Sequence, residues 1–331
     1  MICKTNAPWG GKRYIYKYYR SMYPRDGHSC AAAGDEVILI GGDTDNSVEA
    51  VNIVTGEKRL ITSSSGAKDQ SSAIVIGDEV VVNGGRSSNN VEAININTGI
   101  VRELPSLSDK KYQVNICKYG EEVIFAGGTS DLTFTSSEIE AINVNTNTKR
   151  ALVSLDERRY ACGFGLIGDE MVFAGGFGAG FLDSVEVINI KQNTKRTLPS
   201  LSQKGTAISV VYKDKLYVVS TLAYGSDRTL ESVDPSTNKV EKLMDIPNYL
   251  LGYNHIGITA NSMLIANISR RKAYYINLDT LEIRPAQDLY YNRSTAVMVN
   301  MERGVAIACG REPNYRPSDF IDYYEIKERG N

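Results

Sequence analysis

Two histidines, His28 and His255, are all that the 331 residues contain. That scarcity argues against imidazole-based metal centres, which need several ligands at set spacings. An excess of one charge is also missing. Lys and Arg total 37 against 39 Asp and Glu, a formal net of −2, so no basic excess points to nucleic acid. No run reaches the ~18 apolar residues of a membrane span, and the opening Met-Ile-Cys-Lys-Thr-Asn-Ala-Pro-Trp carries no apolar leader core. The expectation is a chain with neither span nor signal peptide. The five cysteines (Cys3, Cys30, Cys117, Cys162, Cys309) are odd in number and lack metal-type spacing. Four of them sit in apolar strand-like runs, where a thiol behaves as a small hydrophobe. Reduced thiols and a cytoplasmic location are therefore expected. No segment carries a 3.6-residue apolar period, so helix should be minor.

What the sequence does have is a repeat. A polar turn leads into an apolar run that ends in two glycines. A loop follows, then Val/Ile-Glu-x-x-Asn-apolar, then a turn and a basic residue. The first copy reads Gly34-Asp35-Glu36-Val37-Ile38-Leu39-Ile40-Gly41-Gly42, then Val48-Glu49-Ala50-Val51-Asn52-Ile53. Copies at Gly84-Gly85, Gly127-Gly128 and Gly175-Gly176 follow the same form, and weaker ones place Ser220-Thr221, Asn267-Ile268 and Cys309-Gly310 at the pair. The intervals run from 42 to 48 residues. Short β-runs at that period, with four strands per unit, are the signature of a β-propeller. The expected fold is all-β, a seven-bladed β-propeller of four-stranded antiparallel blades in a single domain spanning 1–331.

The blade register follows from the pairs: about 28–62, 71–104, 112–153, 160–198, 206–243, 254–284 and 294–328. In the first blade strand a falls near Ser29–Ala33, b at Val37–Ile40, c at Val48–Ile53 and d near Lys58–Thr62. The seventh copy stops at strand c, Ile321–Ile326. Residues 11–19 resemble the d strands elsewhere (Thr194-Lys195-Arg196-Thr197-Leu198, for example). Pairing them with the last copy would protect an otherwise open strand edge.

The glycine pair after an apolar strand, the period, and the entry Pro24-Arg25-Asp26-Gly27-His28-Ser29 together resemble kelch repeats, over roughly residues 11–328. Most copies lack the Tyr and Trp usual later in that motif. The resemblance implies that loops after the glycine pair and segments entering strand a form a ligand-binding mouth on one face.

In a repeat protein, features common to every blade are scaffold, and a unique site lies where blades differ. The glycine pairs, the glutamates Glu49, Glu92, Glu140, Glu186 and Glu231, and the asparagines before strand d therefore read as scaffold. The long loops are 129–138, 177–184, 222–229 and 311–320, with Phe134, Phe177, Phe181, Tyr224, Arg228, Arg311 and Tyr315. Strand-a entries add Lys111, Tyr112, Arg158, Tyr160 and Lys204. Candidate binding residues are Arg25, Arg86, Arg159, Tyr253, Arg293 and Arg311, because guanidinium forks suit carboxylates and phosphates. The favoured function is a non-catalytic module that binds an acidic or phosphorylated segment of a partner protein. No cofactor, nucleic acid or membrane partner is expected. The alternative is an isomerase or lyase acting on an acidic sugar, with Tyr253, His255 and a strand-c carboxylate in a central pocket.

Overall fold

The computed structural model describes residues 3–9, 12–131, 134–221, 228–247, 250 and 254–328. The fold is an all-β, seven-bladed β-propeller. Strands β1 (Cys3–Trp9) and β2 (Lys12–Arg25) come first. Blade 1 is β3 to β6 (Ser29–Ala33, Glu36–Ile40, Ser47–Asn52, Lys58–Ser63). Blade 2 is β7 to β10 (Ala73–Ile76, Glu79–Asn83, Val91–Asn95, Val101–Leu104). Blade 3 is β11 (Asn115–Tyr119), β12 (Glu122–Ala126), β15 (Ile139–Asn143) and β16 (Thr148–Ala151), with a small ribbon of β13 (Thr129–Asp131) and β14 (Phe134–Thr135) between its b and c strands. Blade 4 is β17 to β20 (Gly163–Ile167, Glu170–Phe177, Phe181–Asn189, Thr194–Leu198). Blade 5 is β21 to β24 (Thr206–Tyr212, Lys215–Thr221, Arg228–Asp234, Lys239–Ile246), and blade 6 is β25 to β28 (Asn254–Thr259, Ser262–Asn267, Lys272–Asn277, Ile283–Pro285). Blade 7 is β29 (Val297–Asn300), β30 (Gly304–Ala308) and β31 (Ser318–Glu328), completed by β2.

That completion matches the sequence reading. β2 runs antiparallel to β31 with Tyr14 opposite Ile326, Tyr16 opposite Tyr324 and Tyr19 opposite Ile321. A fifth strand was not anticipated. β1 lies outside β2, with Cys3 opposite Tyr16 and Thr5 opposite Tyr14. A second difference is in blade 4, where residues 177–184 were read as a loop. Instead its b and c strands continue past the glycine pair, to Phe177 opposite Phe181. A register irregularity between Ala174 and Gly176, with Gly176 at φ +104°, lets the hairpin bend and go on.

Contacts gather the chain into two compact units: residues 1–70, 95–100 and 250–331 in one, residues 71–94 and 101–249 in the other. The second holds blades 2 to 5, and its core shows why the b strands read as unbroken apolar runs. Successive strand side chains point to opposite faces. Val123 and Phe125 pack with Val81 and Val91 of blade 2, while Ile124 and Ala126 pack with Met171 and Phe173 of blade 4. Both faces of each blade are covered, so both sets are apolar. In the first unit Val37 and Leu39 pack with Ala306, Ala308 and Tyr323 of blade 7, and Leu264 and Tyr275 of blade 6 pack with Val305 and Tyr324.

The turn joining c to d repeats as an Asx turn. Asn52 Oδ1 accepts from the N–H groups of Val54 and Thr55 at 2.8 and 2.9 Å, and Asn95, Asn143 and Asn277 do the same two and three residues on. A short side-chain acceptor on a turn's own backbone is the reason for Asn at this point. Nearby, the d-strand arginines Arg59, Arg102, Arg150 and Arg196 make forked ion pairs with Glu36, Glu79, Glu122 and Glu170 at the start of b.

Cys30, Cys117, Cys162 and Cys309 are free thiols in these cores. Burial pushes all four up, Cys117 to about 12 and Cys309 to about 11. Because the thiolate is the reactive form, a thiol reagent at neutral pH should label none of the four in the native protein and all of them in denaturant. Native labelling as fast as that of a free thiol would count against this packing.

Candidate functional site

The entry to strand a is built the same way in several blades. In blade 1, Arg25 Nε donates to Glu49 at 3.0 Å, Nη1 donates to the carbonyls of Gly41 and Ser47 at 2.7 and 3.0 Å, and Nη2 donates to Ser47 Oγ at 2.7 Å. In blade 4, Arg159 reaches Glu186, the carbonyls of Gly175 and Ser184, and Ser184 Oγ. In blade 7, Arg293 Nη2 donates to Asp322 at 2.5 Å and to the Ile307 carbonyl at 2.8 Å, while Nη1 takes the Phe320 carbonyl at 2.8 Å. In blade 3, Lys111 Nζ lies 2.6 Å from Glu138 and 3.1 Å from Glu140. Each base thus ties its own entry segment to the b and c strands of its blade, or the loop between them, and to a strand-c carboxylate. The carboxylates also accept from entry-segment backbone, at Met22 N for Glu49, Ser108 N for Glu140, Asp156 N for Glu186, Ser202 N for Glu231 and Tyr290 N for Asp322.

These bases are buried. Arg25, Arg159 and Arg293 are 1%, 0% and 2% exposed. The sequence reading placed them as arginines around an opening; the structure turns them inward, with their forks occupied by their own blades. Two residues after each base stands a residue with positive φ: Gly27, Gln113, Ala161 and Thr295, and also Gln70 after buried Lys68. The clamp recurs in register, and a recurring element is scaffold.

Above the clamp lies a layer that varies. The residue after the base pairs through its backbone with the residue after the glycine pair: Asp26 with Asp43, Tyr112 with Thr129, Tyr160 with Phe177, Ser294 with Arg311. Backbone geometry is shared while side-chain chemistry changes, which is where a site on a repeat scaffold can differ from blade to blade.

In the first unit this layer is charged. Arg311, 39% exposed at its side chain, makes an ion pair with Asp26 and lies 3.3 Å from Asp43. Thr295 also donates to Asp26. Asp43 in turn stands beside Asp69. Both carboxylates crowd over Gly27, where a Cβ would stand 2.1 Å from Asp43 Oδ1 and 2.6 Å from Asp69 Oδ1. Burial, then the hydrogen bond and charge of Asp69, then Asp26, push Asp43 up to about 6, with Arg311 opposing. Beside it an open cleft of about 300 Å³ is lined by Ser269, Asn292, Arg293, Ser294, Arg311 and Tyr315, among others. Tyr315 is 81% exposed.

In the second unit the layer is aromatic. Exposed Arg86 lies over the Tyr112 ring at 4.5 Å. Tyr160 meets Phe177 edge-on at 5.7 Å, and Phe177 meets Phe181 at 5.1 Å. A cleft of about 560 Å³ runs between Lys111, Phe134, Ser136, Glu138 and Arg158. Tyr253 and Tyr224 lie outside the described residues.

The two histidines are pushed down, His28 to about 3 and His255 to about 4, by burial and then by positive neighbours. Both are neutral at pH 7. Among the described residues no group of three His, Cys, Asp or Glu is placed to hold a metal.

No family model matches this sequence, and no curated protein matches it. Solved structures do. One described as "Structure of YjhT" superposes with a TM-score of 0.56 at 12% identity, over 93% of this chain and 99% of that one. That likeness supports the seven-bladed propeller and bears on the fold alone.

Proposed function

We propose that the chain is a kelch-type propeller acting as a non-catalytic interaction module for an acidic or phosphorylated segment of a partner protein. The kelch assignment draws on the glycine pairs, whose positive φ at Gly41, Gly42, Gly127, Gly128, Gly175 and Gly176 only glycine adopts without strain. The binding reading rests on one observation: in the first unit the partly exposed guanidinium of Arg311 and the exposed ring of Tyr315 line one cleft above the closed clamps. An Arg beside a Tyr is an anchor of the kind that carries interface energy.

Glu-rich and phosphoserine peptides, compared with neutral scrambles by fluorescence polarisation, test it. Binding should weaken as salt rises. Arg311→Gln and Tyr315→Ala should each cost about 5- to 30-fold in affinity, while Arg20→Ala, on strand β2, should leave it unchanged. Equal binding of acidic and neutral peptides would remove the reading.

The enzymatic alternative draws on Asp43, whose proton affinity lies in the range of a general acid or base. The strand-c carboxylates Glu49, Glu140, Glu186 and Glu231 are taken up by clamp and backbone donors, and both histidines are neutral.

A further inference from the structure

Arg311 stands at the border between the charged layer and the 300 Å³ cleft, and what holds it is unequal. Asp26 is 6% exposed and bonded to both Arg311 and Thr295. Asp43 is the looser partner at 3.3 Å, and its other side meets Asp69. Two carboxylates this close repel each other when both are ionised, so the pair holds a proton to higher pH than a lone carboxylate does. Of the charged groups acting on Asp43, Asp69 and Asp26 disfavour its ionised form and Arg311 favours it.

We propose that Asp43 is a proton-operated counter-ion for Arg311, so that protonation of the Asp43–Asp69 pair frees Arg311 charge for an anionic ligand in the adjoining cleft. This rests on the reading of that cleft as a site for acidic segments. Protonated, Asp43 contributes no negative charge, and the guanidinium keeps Asp26 alone as its ionised partner. Ionised, Asp43 competes with the incoming anion. The cleft therefore binds anions more tightly on the acid side of neutrality, and by linkage a bound anion holds the proton on the pair more firmly. The contact is possible because residue 27 is glycine, which leaves room for both carboxylates.

The test needs a ligand that does not itself titrate. A peptide of cysteic acid and glycine, acetylated and amidated at its ends, keeps a constant charge, and its dissociation constant from the full chain is measured by calorimetry at about pH 5 and about pH 7.5 at one low ionic strength. The native protein should bind about fivefold more tightly at the lower pH, the modest end of typical couplings. Asp43→Asn, which mimics the protonated state, should bind at the higher pH as the native protein does at the lower, with no pH step. Asp69→Asn, folding independently of the first variant, should move the step to lower pH. A step unchanged in either folded variant overturns the proposal. Absence of binding at both pH values, or binding indifferent to Arg311→Gln, overturns the acidic-segment reading and takes the counter-ion proposal with it.

Discussion

Deletion of residues 1–20 should leave a protein that does not fold to a soluble state. It removes β1 and most of β2, and with β2 the partner of β31 along the stretch from Glu328 to Phe320. Tyr16, 4% exposed, sits in the core with Leu264, Val305 and Tyr324. Its hydroxyl donates to Asp322, the carboxylate that also holds Arg293. Truncating one buried aromatic costs about 3–5 kcal/mol, and domains are stable by only about 5–15 kcal/mol. Losing this strand exceeds that margin and uncovers a β edge prone to pairing with other chains. Deleting residues 1–10 removes only β1 and should be tolerated. Soluble yield and cooperative thermal melting distinguish the two truncations. A shortened chain beginning at residue 21 that melted like the parent would show that β2 is dispensable.

The second large effect is expected at the clamps. Arg159→Met should destabilise the protein by about 3–5 kcal/mol, because it leaves Glu186 buried without its cation. Glu186 is 1% exposed and keeps only the backbone donors of Asp156 and Glu157. Adding Glu186→Gln to Arg159→Met should recover part of that loss, since the buried charge is gone and the amide oxygen still accepts. Denaturation midpoints of the two single variants and the double one measure the coupling. Additivity within about 0.5 kcal/mol would mean the pair is not coupled as its geometry indicates. By contrast, Arg86→Ala in the exposed layer should change stability by no more than about 0.5 kcal/mol.

The strand register was legible because propeller blades repeat backbone requirements. Gly41-Gly42 and Asn52 answer to local φ values and turn acceptors, and such needs recur with the period. The clamp was harder to see, although equally periodic. It uses Arg in some blades and Lys in others, is followed by residues as different as Asp26, Tyr112 and Tyr160, and reads as surface charge when each copy is taken singly. Only its pairing with the strand-c carboxylates, at Glu49 for Arg25 and Glu186 for Arg159, shows it to be interior. The Asp43–Asp69 contact was invisible for another reason. It joins a b–c loop to the entry of the following blade, and no local pattern encodes a meeting between side chains of different repeats. Its clue was Gly27, a positive-φ position that other entries fill with Gln113, Ala161 or Thr295. The outer strand β1 has no counterpart in the other blades, so the repeat offered no template for it.

The sharing of blade 7 between the two ends of the chain has a consequence for biosynthesis. Tyr16 and Asp322 are separated by 306 positions. At the usual elongation rate of about 5–20 residues per second, β2 leaves the ribosome roughly 15 to 60 s before its partner strand exists. Throughout that interval Tyr16, Tyr18 and Tyr19 have no β31 to pair with. The intervening blades can fold in order of synthesis, but the last step joins the most distant contacts in the molecule and carries the largest loop-closure entropy. Emergence of β31, rather than completion of any earlier blade, sets when β2 finds its place. In the meantime β2 is the strand a chaperone would most usefully shield.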